Sequence, residues 1–168
     1  MIFIDSSFLI SLLTENEKRN QHSVELSKNI TEHRVINNLV LSETLNGIRR
    51  YNKRVDLNTI YELITQIFDI DYLGQEDYSE AVNRYNYYNG TINYSDCLIL
   101  KNMEDRNINK ILSYDTDFDK VKGIRRVYWW LRMIPKAMSI LIINIQNRKI
   151  DLKSAICWQC MIITPFFS

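Results

Sequence analysis

The sequence predicts an α/β fold built on a mainly parallel sheet, and two observations lead to this prediction. Short apolar runs alternate along the chain with longer segments whose apolar residues recur at helical spacing. Several of the short runs are followed by Asp, Ser or Asn, the residues that most often begin a helix. Strands separated by helices pair in parallel, because each helix carries the chain back to the start of the next strand. With 168 residues, the chain is long enough for one domain with a hydrophobic core.

The first elements are predicted between the amino terminus and residue 68. Residues 2–4 form an apolar run that ends at Asp5, so we expect a buried strand followed by a short helix at 8–13. Asp56 is expected to cap a helix that runs to residue 68. Between them we predict a solvated helix within 17–33, a strand at 34–37 and a helix at 39–54.

The alternation continues to about residue 128, without an internal repeat or a linker. Asn93 or Ser95 is expected to cap a helix that contains Asp96. The other predicted elements are a strand at 69–73, a helix at 75–88, a strand at 110–113 and a closing strand at 124–127.

Charge divides the chain into two parts. Residues 1–128 hold 16 basic and 19 acidic residues, a net charge of −3, whereas residues 129–168 hold 5 basic residues and 1 acid, a net charge of +4. We therefore predict a domain at 1–128 and a C-terminal extension at 129–168 that is apolar and basic. The extension carries all three tryptophans and one C-x-x-C motif at Cys157 and Cys160, which is weak evidence for zinc or redox chemistry. Three explanations stay open: an added structural element, a segment that contacts a partner or membrane, or sequence gained through a lost stop codon or frameshift.

No secretion signal or membrane anchor is predicted. Asp5 interrupts the amino terminus before the apolar core of a signal peptide can form. The longest apolar stretch, at 138–145, is well short of the roughly 20 residues that a spanning helix needs. Three cysteines without framework spacing fit a reducing compartment. We therefore expect a soluble, cytoplasmic protein with no membrane partner.

Four acidic residues occupy positions that a parallel sheet brings together. In an open parallel sheet, ligands bind beyond the carboxyl ends of the strands. Asp5 directly follows the first strand, and Asp115 stands two residues past the strand at 110–113. Glu43 and Asp96 lie in the first turns of helices that begin at the same edge. We therefore expect the four carboxylates to converge at one site.

A divalent metal ion is the expected partner of these carboxylates. Four unpaired acids in one place would repel one another until some of them took up protons. A hard cation such as Mg²⁺ or Mn²⁺ prefers oxygen ligands and removes this conflict. His22 and His33 both lie in or beside the second helix, so a zinc site built on histidine is not expected. Metal sites made of carboxylates most often serve phosphate chemistry.

Each acid also has an ordinary structural explanation when it is considered alone. Asp5 and Asp96 are suitable helix caps, and Glu43 is suited to a solvated helix face. Asp115 belongs to a run that could be a simple acidic turn. A phosphatase that uses Asp5 as its nucleophile is a further alternative, but Ser7 stands where haloacid dehalogenase-type enzymes place a second Asp. The joint pattern of the four acids is therefore the informative signal.

Four short motifs carry these acids. They are Ile-Phe-Ile-Asp-Ser-Ser at 2–7, Leu-Ser-Glu-Thr-Leu at 41–45, Ser-Asp-Cys-Leu-Ile at 95–99 and Ile-Leu-Ser-Tyr-Asp-Thr-Asp-Phe at 111–118. In their order and separation they resemble the PIN-domain nucleases, and within that family the VapC-type toxins of toxin–antitoxin pairs. The resemblance covers about residues 1–128. It implies a PIN-like three-layer fold, in which a parallel sheet of about five strands has helices on both faces.

The resemblance also implies an activity and a set of site residues. The activity is that of a metal-dependent endoribonuclease, using Mg²⁺ or Mn²⁺, that hydrolyses RNA phosphodiester bonds as the toxin of a type II toxin–antitoxin pair. The catalytic acids implied are Asp5, Glu43, Asp96 and Asp115. The implied metal ligands are Asp5, Asp96, Asp115 and Asp117, the last directly or through water. Ser6 and Ser113 match hydroxyl positions that orient the acids.

Partners are implied as well. Family members commonly form homodimers and are held inactive by a cognate antitoxin that inserts a segment across the acidic pocket. A catalytically silent PIN-like module that only binds a partner is the alternative function. Arg49, Arg50 and Lys53 follow Glu43 on its helix and are candidate RNA contacts, although the cations of a solvated helix end explain them equally well.

Overall fold

A computed structural model describes residues 1–128, which form five strands, six α-helices and one short 3-10 helix at Thr116–Lys120. The strands are β1 at Ile2–Ile4, β2 at Arg34–Asn37, β3 at Asp69–Asp71, β4 at Lys110–Leu112 and β5 at Arg125–Val127. The helices are α1 at Ser6–Leu13, α2 at Asn20–Ser27, α3 at Asn38–Tyr51, α4 at Leu57–Ile67, α5 at Gln75–Tyr87 and α6 at Tyr94–Asp105. The predictions for the extension at 129–168, including those for Cys157 and Cys160, lie outside the described residues.

The five strands form one parallel sheet in the order β3-β2-β1-β4-β5. The central strand β1 pairs on one side with β2, where Phe3 is opposite Val35, and on the other side with β4, where Phe3 is opposite Ile111. The chain therefore builds the sheet outward through β2 and β3 and then returns to the other side of β1. The reversal makes the gap between β1 and β4 a topological switch point. The predicted parallel α/β fold is confirmed.

The helices cover both faces of the sheet because the direction of strand addition reverses. Parallel crossovers are right-handed, so the connections on either side of the switch point place their helices on opposite faces. In agreement, α1 packs against α2 and α3, while α5 packs against α6. Phe3, Val35 and Ile111 have no exposed surface and lie at the centre of the core. Within residues 1–128, no helix combines the length and apolar character needed to cross a membrane.

The helix predicted within 17–33 is shorter in the structure, where α2 covers only Asn20–Ser27. Glu17 forms a turn before it, because its carboxylate accepts hydrogen bonds from the Ser11 hydroxyl at 2.5 Å and the Arg19 backbone N–H at 2.6 Å. The helix is also less solvated than predicted, because Ser23 is fully buried and donates to the Ser11 hydroxyl at 2.9 Å. Local hydrogen bonds therefore override the weak helical pattern at this end.

The helix α3 begins at a capping residue that can be recognised in the sequence. Asn37 ends β2 and its side-chain oxygen accepts the backbone N–H of Val40 at 2.9 Å, which caps the helix. At α6 the N-cap is Asn93, and its side chain makes no capping hydrogen bond. The first turn of α6 instead contains Asp96, whose carboxylate favours the positive end of a helix dipole.

Candidate active site

The candidate site lies at the carboxyl edge of the sheet, across the switch point between β1 and β4. The backbone N–H of Asp5 donates to the carbonyl of Leu112 at 3.0 Å, so the two strands remain paired where the polar residues begin. One residue further on, the Ser113 hydroxyl donates to Asp5 Oδ2 at 2.7 Å. Residues more than 100 positions apart in the sequence thus meet because their strands are neighbours.

Asp5 is fixed by three hydrogen bonds and is only 5% exposed. Its Oδ2 accepts the Ser113 hydroxyl, the Ser7 hydroxyl and the Ser7 backbone N–H, the last at 3.3 Å. The bond to the backbone N–H makes Asp5 the N-cap of α1, as the ordinary structural explanation requires. None of these three bonds uses Oδ1. The capping role and a role at the site are therefore compatible.

Asp96, Asp115 and Asp117 form a cluster in which one carboxylate oxygen from each lies within 4.8 Å of the others. Asp96 is 7% exposed and extends from the first turn of α6. Its Oδ2 is buried and has no hydrogen-bond partner among residues 1–128. A buried carboxylate oxygen without a partner is costly unless a proton or a cation accompanies it. Asp115 caps the short 3-10 helix after β4 and Asp117 lies in its first turn, and both are half-buried.

The loop after β4 is held by its own hydrogen bonds. The Ser113 hydroxyl accepts the backbone N–H of Asp115 at 2.9 Å, and Asp115 Oδ1 accepts the backbone N–H of Asp117 at 2.9 Å. Ser113 therefore contacts both Asp5 and Asp115, on either side of the switch point. Lys120 donates to Asp117 Oδ1 at 2.6 Å, which places one cation at the rim of the cluster.

Glu43 approaches the site from α3. The Ser6 hydroxyl donates to Glu43 Oε2 at 2.9 Å and so joins the start of α1 to α3. Burial raises the pKa of Glu43, the bond from Ser6 lowers it, and the nearby charge of Asp5 raises it. The two serines identified in the sequence thus each hold an acid: Ser6 holds Glu43, and Ser113 holds Asp5.

Electrostatics identify Asp96 as the most perturbed of the acids. Burial raises its pKa most, and repulsion from neighbouring carboxylates adds to the effect, so that the pKa is about 7. The neighbours responsible are Asp5, Asp115, Asp117 and Glu43. The charges of the other four acids thus all act on Asp96. Only three of the five acids, Asp96, Asp115 and Asp117, have carboxylate oxygens in the close cluster.

The donor set fits a hard divalent cation. Carboxylate oxygens at this spacing, including the unpartnered Asp96 Oδ2, are ligands of the type that Mg²⁺ or Mn²⁺ prefers. Neither histidine belongs to the cluster. His22 Nδ1 lies 2.8 Å from the Tyr114 hydroxyl, and the exposed His33 contacts Asp69. Within residues 1–128, the site therefore has the chemistry of an oxygen-ligand metal centre.

The three predicted RNA contacts have different environments. Arg49 donates to the carbonyl of Lys53 at 2.6 Å and so completes the end of α3. Lys53 is exposed beyond that end. Arg50 is exposed and lines a cleft beside Gly47, toward the site. Of the three, Arg50 is the one that lines this cleft.

Arg126 contacts the loop that carries the acids, a contact that the sequence does not predict. Its side chain is 3% exposed, pairs with Asp119 and donates to the carbonyl of Ser113 at 3.3 Å. The pair lowers the pKa of Asp119. The guanidinium also lies 3.7 Å from the ring centroid of Tyr128. An arginine in an edge strand carries no sequence signal of this role, because the contact depends on how the loop folds back.

Comparisons with known proteins agree with this architecture. The model of the PIN domain family matches residues 2–124. The fold is similar to that of VapC20 from Mycobacterium tuberculosis, described as a sarcin-ricin loop cleaving toxin, with a TM-score of 0.65 and 17% identity over 71% of this chain and 94% of that one. It is also similar to VapBC2 from Rickettsia felis bound to a promoter DNA fragment, with a TM-score of 0.56 and 15% identity over 77% and 99% of the two chains. No curated protein sequence matches significantly. The family match covers most of the chain, and the chain therefore belongs to the PIN domain family.

Proposed function

We propose that the protein is a metal-dependent endoribonuclease that hydrolyses RNA phosphodiester bonds and acts as the toxin of a type II toxin–antitoxin pair. The observation that carries the proposal is the cluster of Asp96, Asp115 and Asp117 beside Asp5 at the switch point. Membership of the PIN domain family supports the nuclease activity. Similarity of fold to a toxin described as cleaving the sarcin-ricin loop supports RNA as the substrate class.

In this proposal the aspartates hold Mg²⁺ or Mn²⁺. The ligands would be Asp5, Asp96, Asp115 and Asp117. A bound divalent ion neutralises charge on the scissile phosphate and acidifies a water molecule. Ser113 positions Asp5 and the loop of Asp115 through its two hydrogen bonds.

Glu43 is assigned the transfer of a proton. Its Oε2 accepts the hydrogen bond from Ser6, so Oε1 would be the oxygen that takes the proton. Its raised pKa suits a group that takes a proton from that water during attack on phosphorus. The water oxygen bonds to phosphorus as its proton passes to Glu43, the bond to the leaving oxygen breaks with its electron pair, and a proton from solvent neutralises that oxygen.

The partners are part of the proposal. Similarity of fold to the VapBC2 complex supports an antitoxin partner. A homodimer and a cytoplasmic location rest on the family resemblance. A segment of the antitoxin that enters the acidic pocket would compete with both the metal ion and the RNA.

Cleavage of total RNA by the full chain tests the function. We expect cleavage with Mg²⁺ or Mn²⁺ and none with EDTA. Asp96→Asn should reduce the rate more than ~100-fold, because it removes the charge of a ligand. Asp105→Asn, which changes a more exposed acid on the same helix, is the matched control and should retain activity.

The same assay distinguishes the proposed nuclease from the alternative, a catalytically silent binding module. Equal cleavage by wild type and Asp96→Asn would contradict the catalytic assignment. Mg²⁺ binding without any cleavage would favour the catalytically silent binding module instead.

A further inference from the structure

A cleft of about 430 Å³ opens between α1 and α3, next to the acidic site. We call it the arginine cleft and define it by Ser7, Arg19, Gly47, Arg50 and Tyr51, which line it. Its lining joins two cationic side chains to an aromatic one. Arg19 precedes α2, while Arg50 and Tyr51 end α3, so the cations come from separate elements.

The arginine cleft and the acidic site share a wall. Ser7 lines the cleft, and its hydroxyl donates to Asp5 Oδ2 and accepts the backbone N–H of Tyr114 at 3.1 Å. Glu43, Gly47 and Arg50 follow one another at helical spacing on α3, and so share one face of the helix. From Glu43 to Arg50 the helix rises ~10 Å. A chain that leaves the acids along α3 would therefore reach the arginines within a few nucleotides.

An aromatic ring positions Arg19, and no acidic side chain pairs with its guanidinium among residues 1–128. Its guanidinium lies 4.8 Å from the ring centroid of Tyr114, whose hydroxyl is 2.7 Å from the Ser23 hydroxyl and 2.8 Å from His22 Nδ1. Glu17 also lines the cleft, where its Oε2 accepts the Ser11 hydroxyl and the Arg19 backbone N–H, but its carboxylate forms no ion pair with this guanidinium.

Arg50 is similarly available. It is exposed, and neither it nor Arg19 forms an ion pair with any of residues 1–128. Arg49, by contrast, is occupied at the end of α3. Tyr51 is 53% exposed, so its ring is open to stacking. Two guanidinium groups without acidic partners and one open ring are the groups that bind phosphates and unpaired bases.

We propose that the arginine cleft binds the single-stranded RNA segment that flanks the scissile phosphate. Arg19 and Arg50 contact its phosphates, and Tyr51 stacks on a base. The inference rests on the proposed function, because it takes the acids as the cleavage centre. The phosphates that flank the scissile one do not contact the metal ion, so the guanidinium groups of the arginine cleft, which have no acidic partner within the described part of the chain, are the cations available to them.

The test measures binding of a labelled short single-stranded RNA by the full chain carrying Asp96→Asn, which prevents cleavage. Arg19→Gln and Arg50→Gln are compared over a series of KCl concentrations. The control, Arg125→Gln, removes an exposed arginine at the amino end of β5, the opposite edge of the sheet. Tyr51→Leu tests stacking without changing charge.

We expect each variant of Arg19 and Arg50 to bind RNA roughly tenfold more weakly. The plot of log affinity against log salt should become shallower by about 0.7 for each phosphate contact that is lost from a single strand. Tyr51→Leu should weaken binding about tenfold with an unchanged salt slope. Arg125→Gln should match the parent protein in both affinity and slope.

Several outcomes would overturn the inference. In one of them, Arg19→Gln and Arg50→Gln bind RNA as tightly as Arg125→Gln does while the wild type cleaves RNA. In that case RNA binding by the arginine cleft is contradicted, and the nuclease function is kept. If the wild type does not cleave but the two variants lose RNA affinity as expected, the cleft binds RNA but the nuclease assignment fails, and the placement of this RNA beside a scissile phosphate fails with it. Weakened binding of an oligoglutamate peptide without weakened binding of RNA would assign the cleft to an acidic protein segment.

Discussion

At the scale of single residues, Asp96 links the stability of the fold to the charge of the acidic site. Its carboxyl group is buried, has one oxygen without a partner among residues 1–128, and has a pKa of about 7. The unfolded chain has an ordinary Asp pKa of about 4. A proton on Asp96 therefore stabilises the folded state fully below about pH 4, and this contribution is lost as pH rises through 7.

The first prediction follows from this loss of stability as pH rises. In EDTA, the free energy of unfolding should fall between about pH 4 and pH 7 by an amount that Asp96→Asn removes, because the amide does not titrate. Urea unfolding of both proteins at several pH values measures the effect. Mg²⁺ should restore stability most at the higher pH values, where the carboxylate is ionised. The same slope in both proteins would contradict the assignment.

A second prediction concerns Ser113, whose hydroxyl contacts Asp5 and the backbone of Asp115. Ser113→Ala should lower the free energy of unfolding by about 1–3 kcal/mol and weaken Mg²⁺ binding by ~10-fold. Denaturant unfolding and calorimetric titration with Mg²⁺ measure the two effects. Ser79→Ala, at an exposed position in α5, is the control. Unchanged Mg²⁺ affinity would show that Ser113 serves stability alone.

Some contacts at the site could be predicted from the sequence and others could not. The contacts of Ser6 with Glu43 and of Ser113 with Asp5 join residues that the motifs singled out. The motifs work because each acid is placed by the nearby end of a strand or start of a helix. Arg19 was not identified, because its place beside Tyr114 depends on a turn whose hydrogen bonds cannot be inferred from local spacing.

At the scale of elements, β5 secures the loop that follows β4. Arg126 extends from β5 to the carbonyl of Ser113 and to Asp119, and is nearly excluded from solvent. This edge strand therefore contributes a contact to the acidic site as well as a pairing partner to the sheet. The family match ends at residue 124, just before this strand.

The third prediction tests this contact. Arg126→Met should lower the free energy of unfolding by about 1–3 kcal/mol, less than for a fully buried pair because Asp119 is 49% exposed. It should also weaken Mg²⁺ binding, since the loop of Asp115 loses a tether. Arg125→Met, at the exposed neighbouring position, should change neither quantity. Equal effects of the two variants would contradict the tether.

Elements were predictable where their ends carried strong signals. β1, β2, α4 and α5 are found within two residues of their predicted bounds, because apolar runs and caps mark their ends. The second helix was overextended, since the polar segment at 17–33 has no clear stop signal and its turn depends on Glu17. The order of the strands was beyond local patterns, because pairing with β4 depends on the return crossover.

At the scale of the whole molecule, the boundary at 128 remains a prediction. All five strands and all the candidate ligands come from residues 1–128, which carry a net charge of −3. The fourth prediction is that a chain ending at residue 128 unfolds cooperatively and cleaves RNA with Mg²⁺. Circular dichroism during denaturation and the cleavage assay measure this. An aggregated or inactive product would show that the extension belongs to the domain.

The pairing of β1 with β4 has a consequence for the order of events during synthesis. Phe3 lies opposite Ile111, so the acids on either side of this pair remain apart until nearly the whole domain has left the ribosome. At ~5–20 residues per second, synthesis of the 108 residues that follow Phe3, up to Ile111, takes roughly 5–20 seconds. A nascent chain therefore carries Asp5 and Glu43 well before Asp96, Asp115 and Asp117 can join them. The time needed for translation therefore delays the activity. A molecule can become active only after β4 and β5 have been synthesised.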